Sequence, residues 1–375
     1  MKIGIFTFYW GVNYGAFLQA YALYRVLSEM GHDVEFVKFR YAPARLSLLK
    51  RTLNFLTSSN IFDIVKSFPD LLSIKQNKRL SNDSISADKL KHFNYCRGKY
   101  LRFSEDMPIL SASELSAKYD ALVVGSDQVW ADMQSDYLPF FFDRIDDFDG
   151  IRISYAACSP KSKAPIYNRA KITKLLGKFA DISVRDMNTK SLVSNLGYTS
   201  ANLVADPTQL YDFTECLDSS SDNIPDKYIF SYIIGTPPKE GHEAYYQHIY
   251  SIYGELPIIG VRQNNASYLH HTCMYRDNIS PFEWVHMIKN ATVVYTDSFH
   301  AILFAIKFKI PFIAYYKEHL RASRLVFLKE YYNLDGFIVN KLKDAKIQIT
   351  PDWKTINVQE QLLVNHSLKF LKRNL

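Results

Sequence analysis

The residues best suited to chemistry lie in segment 294–300, Val-Tyr-Thr-Asp-Ser-Phe-His, between two apolar runs. This pattern predicts a buried strand, a polar turn and an amphipathic helix. The first turn of a helix has backbone N–H groups without helical partners and a partial positive charge, so it favours anions. His300 at this junction can exchange a proton near neutral pH beside such an anion. The alternative is a core histidine next to a helix that Asp297 or Ser298 caps.

Two polar turns in the first half of the chain are further candidates. Residues 11–15, Gly-Val-Asn-Tyr-Gly, lie where a phosphate loop would lie, but they match neither the dinucleotide nor the Walker A pattern. They suit contact with a sugar or an anion, or form only a tight turn. Residues 124–130 end a predicted strand with polar side chains that can bind sugar hydroxyls and with an indole that can stack on a sugar face. The alternative for Asp127 is a helix cap.

Three arginines are placed to bind an anion. Arg185 ends a predicted strand, and its planar guanidinium forms paired hydrogen bonds to carboxylate or phosphate. The alternative is a structural pair with Asp186. Arg321 and Arg324 follow another predicted strand, where they form a second anion clamp or lie on the surface of a helix.

The order of apolar runs and helical patterns predicts two α/β domains with parallel sheets. The first spans 1–210 and contains a basic, largely helical insertion at about 41–118. An acidic, serine-rich linker at 218–226 leads to a second domain at 225–350, and a C-terminal helix at 355–375 packs back on the first domain.

Two such domains that face each other place the carboxyl ends of their strands at one central cleft, where ligands bind. The polar turns at the predicted strand ends are therefore the candidate site: residues 9–15, 125–130, 185–186, 206–208, 262–265 and 297–300.

Charge is concentrated in one stretch of the chain. Between Lys38 and Arg102 there are fourteen Lys or Arg against four Asp, although the formal net charge of the whole chain is only +7. Such a stretch suits an anionic membrane surface or an anionic substrate, or only solvates helices. No nucleic-acid-binding motif accompanies it, so we expect no nucleic acid partner.

Composition excludes several other classes. No apolar run reaches transmembrane length, and the N-terminal apolar stretch has only Lys2 as a basic flank, so we expect no signal peptide and a cytoplasmic protein. The four cysteines are far apart and no His/Cys spacing suits zinc, so we expect no metal and no other cofactor.

Nine short motifs together resemble the polysaccharide pyruvyl transferase family. They lie in the family's order over about 300 residues, and each is weak alone. The motifs are residues 3–5, 13–16, 18–23, 31–34, 124–130, 153–157, 182–186, 206–208 and 296–300.

The resemblance implies transfer of pyruvate from phosphoenolpyruvate to two hydroxyls of a sugar, which gives a cyclic ketal and phosphate. It also implies a fold similar to GT-B glycosyltransferases. His300 matches the family's proton-transfer histidine, and Arg185 matches an arginine that holds the donor. Many members have Arg-Leu-His where this chain has Ser-Phe-His, so we expect Arg321 or Arg324 to replace the missing arginine.

The predicted site therefore has three parts. The catalytic residues are His300, with Asp127 or Asp297 to accept the hydroxyl proton. The donor-binding residues are Arg185, Ser298, Phe299, Arg321 and Arg324. The acceptor-binding residues are Asn13, Tyr14, Ser126, Gln128 and Trp130.

The expected partners follow from the same resemblance. They are phosphoenolpyruvate and a sugar acceptor on a lipid-linked oligosaccharide, with the basic stretch docking the enzyme on the inner face of the membrane. Two other functions remain open at this stage: a GT-B glycosyltransferase that uses a nucleotide-sugar, and a carbohydrate-binding protein without catalysis.

Overall fold

The computed structural model describes residues 1–40, 86–145, 147–214, 224–263, 273–317, 322–348 and 350–375. Its strands form two separate sheets in which every pair is parallel. The two sheets follow one another along the chain, as the alternation of strands and helices predicted.

The first sheet has seven strands in the order β3-β2-β1-β4-β5-β6-β7. Its central strands are buried on both faces, which explains their continuous apolar runs. The strands are β1 (Lys2–Phe6), β2 (Asp33–Phe39), β3 (Phe103–Met107), β4 (Ala121–Val124), β5 (Ile151–Ala157), β6 (Asp181–Val184) and β7 (Asn202–Leu203).

Six helices of the described residues accompany this sheet. The first begins after Asn13, whose side chain accepts a hydrogen bond from the backbone N–H of Ala16. The helices are α1 (Tyr14–Glu29), α2 (Ala87–Tyr100), α3 (Ala112–Lys118), α4 (Ile166–Leu176), α5 (Met187–Asn195) and α6 (Pro207–Leu210).

The predicted helical insertion at 41–118 needs a correction. Residues 41–85 lie outside the described residues, and the remainder contains the strand β3 besides α2 and α3. Because β3 is an edge strand of the sequence Phe-Ser-Glu-Asp-Met, it pairs on one side only and carries the charges that protect an edge. It therefore lacks the apolar run by which the other strands were recognised.

The second sheet has six strands in the order β10-β9-β8-β11-β12-β13. Its strands are β8 (Ile229–Tyr232), β9 (Ile258–Gly260), β10 (Met274–Tyr275), β11 (Val293–Thr296), β12 (Phe312–Tyr315) and β13 (Ile338–Val339). Its helices are α7 (Gly241–Tyr253), α8 (Pro281–Lys289), α9 (Phe299–Phe308) and α10 (Ala322–Tyr331).

The last helix, α11 (Trp353–Asn374), lies against the first sheet. Its Ser367 hydroxyl oxygen accepts a hydrogen bond of 2.8 Å from the N–H of Ala205, and Arg373 forms an ion pair of 2.5 Å with Asp181. Among the described helices, none is long and apolar enough to cross a membrane.

Candidate active site

A cleft lies between the carboxyl ends of the two sheets. Each domain contributes loops that follow its strands, so the fold brings together residues that are far apart in the chain. The cleft is lined by Asn13, Asp127, Gln128, Ile234, Asp297, Ser298, Phe299, His300, Arg324 and Leu325.

The segment between β11 and α9 forms the predicted strand, turn and helix. Ser298 is the N-cap of α9, and its side chain accepts a hydrogen bond from the N–H of Ala301. Asp297 does not cap the helix. Its two carboxylate oxygens accept hydrogen bonds from the backbone N–H groups of Ile234 (2.7 Å) and Gly235 (2.6 Å). Asp297 therefore holds the loop after β8 against the start of α9.

His300 lies in the first turn of α9 and is only 6% exposed. Its Nε2 is buried, has no hydrogen-bond partner among the described residues and lies 3.6 Å from Oδ2 of Asp206 in the first domain. The ring packs on Phe299 edge to face, and Gly15 at the start of α1 lies against its other nitrogen. The histidine is thus enclosed by residues of both domains.

Arg185 is buried to 1% exposure at the end of β6. Its Nη1 donates to Asp206 at 2.5 Å and its Nη2 donates to Asp127 at 2.8 Å. Its guanidinium also lies 4.5 Å from the centre of the Phe299 ring. Because both ends of the fork hold carboxylates, Arg185 orients these two acids; Asp186, the partner considered from the sequence, instead caps α5.

The electrostatics of this cluster keep both acids ionised. Burial by itself would raise the pKa of Asp206, but the Arg185 charge and the nearby His300 hold that pKa well below its usual range. Burial also opposes ionisation of Asp127, and the charges of Arg185, His300 and Arg324 lower its pKa instead. Two carboxylates therefore remain negative at neutral pH beside the histidine.

Arg324 reaches the cleft from α10. Its Nη1 lies 3.7 Å from Oδ1 of Asp127, and its guanidinium lies 5.5 Å from the centre of the Phe299 ring. The Phe299 ring thus contacts the guanidinium groups of both Arg185 and Arg324. Arg321, the other arginine expected here, lies outside the described residues.

The loop after β4 needs unusual backbone conformations to present Asp127. Gly125 has φ of +119°, and a Cβ at this position would lie 2.1 Å from the carbonyl oxygen of Tyr155. Asp127 itself has φ of +67°, which Asp tolerates better than most residues. Asp127 therefore serves as a cleft residue and, contrary to the alternative, caps no helix among the described residues.

Three residues predicted to bind the acceptor lie in the interior instead. The Trp130 indole is fully buried, stacks on Phe141 and donates to the carbonyl of Phe140. The Ser126 hydroxyl donates to the side-chain oxygen of Gln19. The sequence shows polar and aromatic residue types in a turn but not which of them face inward. Through their interior contacts, Trp130 and Ser126 stabilise the loop that carries Asp127 and Gln128.

Tyr14 is the third of these residues. It is fully buried between the domains, stacks on Trp284 and donates to the carbonyl of Ile279 at 3.3 Å. Its neighbour Asn13 does line the cleft, as predicted. Tyr14 thus joins the two domains because it is the first residue of α1 and turns inward there.

Trp10 is a further aromatic residue near the cleft, and no motif of the sequence marked it as a site residue. Trp10, in the loop between β1 and α1, is 39% exposed. Its indole is nearly parallel to Phe140 and is edge-on to Phe8 and Tyr9. These neighbours fix the plane of the indole, which a sugar face can use as a platform.

Asp206 and Gly15 lie in two of the turns predicted to form the site, residues 206–208 and 9–15, but the sequence assigned neither of them a role. Asp206 is the N-cap of α6, and its Oδ1 accepts hydrogen bonds from Thr208. The signal was present in the sequence, because Asp-Pro-Thr is a strong helix start directly after a predicted strand. Among the described residues, no group of three His, Cys, Asp or Glu is arranged to hold a metal ion.

Comparison with known proteins agrees with this architecture. The chain is similar to Anabaena HepE in complex with UDP and glucose, with a TM-score of 0.51 and 9% identity over 100% of this chain and 98% of that chain. It is also similar to UDP-GlcNAc 2-epimerase from Methanocaldococcus jannaschii, with a TM-score of 0.50 and 11% identity over 97% of this chain and 93% of that chain. UDP-N-acetylglucosamine 2-epimerase from Rickettsia bellii is similar with a TM-score of 0.50 and 11% identity over 100% of this chain and 95% of that chain. At such low identity the likeness shows the fold alone, and it confirms the predicted GT-B-like pair of Rossmann-like domains around a central cleft.

The family comparison is more specific. No curated protein matches the chain. A family model of polysaccharide pyruvyl transferases, however, matches residues 13–319, a range that includes Asp127, Arg185, Asp206 and His300. The chain belongs to the polysaccharide pyruvyl transferase family.

Proposed function

We propose that this protein transfers pyruvate from phosphoenolpyruvate to two hydroxyls of a sugar, forming a pyruvate ketal and releasing phosphate. The observation that carries the proposal is the placement of His300 in the first turn of α9, in a cleft that Asp127 and Arg324 also line. The family match supports the reaction class. The start of α9 is also a favourable position for a phosphate.

His300 supplies the first proton. Its imidazolium protonates C3 of phosphoenolpyruvate, so the methylene becomes a methyl and positive charge develops at C2. One sugar hydroxyl adds to C2, and the second displaces phosphate. One hydroxyl proton restores His300 and the other leaves with phosphate, so protons and charges balance.

Asp127 accepts the hydrogen bond of the attacking hydroxyl. Of the two acids predicted for this role, Asp297 has both oxygens engaged by backbone N–H groups, whereas Asp127 lines the cleft with only Oδ1 engaged by Arg185. A carboxylate whose pKa is lowered is a weak base, so Asp127 orients the hydroxyl and stabilises the developing charge at C2.

Arg324 binds the anionic donor. Among the described residues, Arg324 is the arginine whose side chain lines the cleft. Its guanidinium lies against the ring of Phe299. A donor with both a phosphate and a carboxylate needs a further cation. We assign that role to Arg321, three residues before Arg324, because Ser298 occupies the position at which many family members have arginine. Arg185 contributes indirectly, through the two acids that it holds.

The first domain provides the acceptor side. Asn13 and Gln128 line the cleft from this domain, and the exposed indole of Trp10 lies in the loop that leads to Asn13. Amide side chains can bind sugar hydroxyls, and the indole replaces the buried Trp130 as the stacking surface.

The acceptor is a lipid-linked oligosaccharide, and the basic stretch between Lys38 and Arg102 brings the enzyme to the inner membrane surface. In the described part of that stretch, α2 exposes Leu90, Lys91, Tyr95 and Lys99. Basic residues next to apolar and aromatic ones suit an anionic lipid surface.

The test is incubation with phosphoenolpyruvate and a panel of lipid-linked or aryl glycosides. We expect phosphate release and a product that is heavier by one pyruvate less one water. A parallel reaction with UDP-sugars in place of phosphoenolpyruvate tests the glycosyltransferase alternative. Sugar transfer from UDP-sugars, without any pyruvylated product, would contradict the proposal.

A further inference from the structure

We infer that Asp206 and Gly15 of the first domain position the imidazole of His300, which belongs to the second domain. The proton donor is therefore assembled only where the two domains meet. The role of His300 as proton donor rests on the proposed function. The contacts of Asp206 and Gly15 with its imidazole are observed independently of that function.

Asp206 is fixed before it meets the histidine. Its Oδ1 accepts hydrogen bonds from the N–H (3.0 Å) and the hydroxyl (2.7 Å) of Thr208, and its Oδ2 accepts one from Arg185 at 2.5 Å. It is buried to 3% exposure and its pKa is held well below the usual range, against the effect of burial, by Arg185 and His300. A carboxylate held by these hydrogen bonds is a negative charge in a fixed position.

The remaining partner of Asp206 is His300. The distance of 3.6 Å from Nε2 to Oδ2 is that of an ion pair but exceeds a good hydrogen bond, and Nε2 has no hydrogen-bond partner in the part of the chain that the structure describes. A movement of less than 1 Å between the domains would convert this contact into a charge-assisted hydrogen bond. Closure of the cleft would thus stabilise the imidazolium and fix its orientation.

Gly15 sets the other side of the ring. A Cβ at position 15 would lie 2.1 Å from Nδ1, 2.5 Å from Cγ and 2.9 Å from Cβ of His300. Any side chain at this position would displace the imidazole. The imidazole is therefore held between the carboxylate of Asp206, which faces Nε2, and the backbone of Gly15, which lies against Nδ1.

Other charges face the same ring. The charge of His300 lowers the pKa of Asp127. The carboxylate of Asp127 also contacts Arg185 and Arg324. A change at Asp206 therefore leaves one carboxylate near the imidazole, whereas a change at Gly15 leaves all four charged groups in place. Substitution of Asp206 therefore tests the effect of its charge on His300, and substitution of Gly15 tests the effect of the close contact with the ring.

The first experiment compares Gly15→Ala with Gly98→Ala. Gly98 lies in α2, and a Cβ there meets nothing within 4 Å, so Gly98→Ala is the matched control. We expect Gly15→Ala to lower kcat at least about 100-fold, with the KM for phosphoenolpyruvate within about threefold, in a protein that remains folded by circular dichroism. The control keeps parental kcat. Parental kcat in Gly15→Ala would overturn the inference.

The second experiment does not require activity. The imidazole resonances of His300 are assigned by their absence in His300→Ala and are compared by NMR at one pH in the parent, in Asp206→Asn and in Gly98→Ala. We expect these resonances to shift in Asp206→Asn but not in Gly98→Ala, because the imidazole has lost the carboxylate that lies 3.6 Å from its Nε2. Unchanged His300 resonances in Asp206→Asn would overturn the positioning role, whereas a change in a protein that transfers no pyruvate would contradict only the proposed function.

Discussion

The buried cluster around Arg185 allows a quantitative prediction about stability. In Arg185→Met the apolar side chain keeps much of the volume but removes the cation that neutralises Asp206 and Asp127. Removing one partner of a buried ion pair costs about 3–5 kcal/mol, because the other charge stays buried without compensation. For a domain of about 200 residues, each kcal/mol lowers the Tm by about 2–4 °C, so we expect a fall of about 10 °C.

The same variant has a characteristic pH dependence. In the parent, the lowered pKa values of Asp206 and Asp127 contribute stability above the unfolded value of about 3.9, and this is lost only as pH falls through the folded values. In Arg185→Met, burial is no longer offset at Asp206, so its pKa rises and protonation relieves the buried charge. The difference in Tm between variant and parent should therefore shrink from about pH 7 to about pH 5.

The control is Arg373→Met. Arg373 pairs with Asp181 on the surface, and its side chain is 63% exposed. Such pairs are worth about 1 kcal/mol or less, so this variant should lose only a few degrees at either pH. Thermal unfolding followed by circular dichroism measures both variants. An Arg185→Met Tm like that of the control, or a difference from the parent that does not change with pH, would refute the account of the cluster.

Three further predictions concern the substrates and the membrane. Arg324→Lys keeps the charge but loses the planar fork, so the KM for phosphoenolpyruvate should rise about tenfold, and an unchanged KM would remove Arg324 from the donor site. Trp10→Ala should raise the KM for the acceptor but not for phosphoenolpyruvate, while Trp10→Phe keeps a stacking face; equal acceptor affinity in all three proteins speaks against the platform. In sedimentation with liposomes, we expect stronger binding to anionic than to neutral vesicles and loss of binding at high salt. Equal, weak binding to both would leave the stretch from Lys38 to Arg102 as ordinary surface.

Much of the fold follows from the sequence because parallel strands are buried on both faces and give continuous apolar runs. The runs at 121–124 and 293–296 are strands, and the polar turns after them meet in one cleft, since the carboxyl ends of parallel strands share an edge. Strand β3 has no such run, because a charged edge strand resembles the polar face of a helix.

The orientation of individual side chains could not be obtained in this way. Trp130 and Gln128 lie in the same turn, but one is buried in the core and the other faces the cleft, and this depends on how the loop after Gly125 bends. The contact between Asp206 and His300 joins residues of different domains. Such a contact follows from the packing of two domains and has no periodic pattern in the sequence.

In the proposed reaction, His300 delivers a proton to C3 of phosphoenolpyruvate while the sugar hydroxyls add to C2. The most direct test is the reaction in D2O with an accepting glycoside, followed by NMR and mass spectrometry of the product. We expect a ketal whose methyl group carries one solvent-derived deuterium, and a loss of this product of at least about 100-fold in a folded His300→Ala variant. A product that keeps the methylene as an enolpyruvyl ether, or undiminished ketal formation by His300→Ala, would rule out proton transfer from His300 to C3.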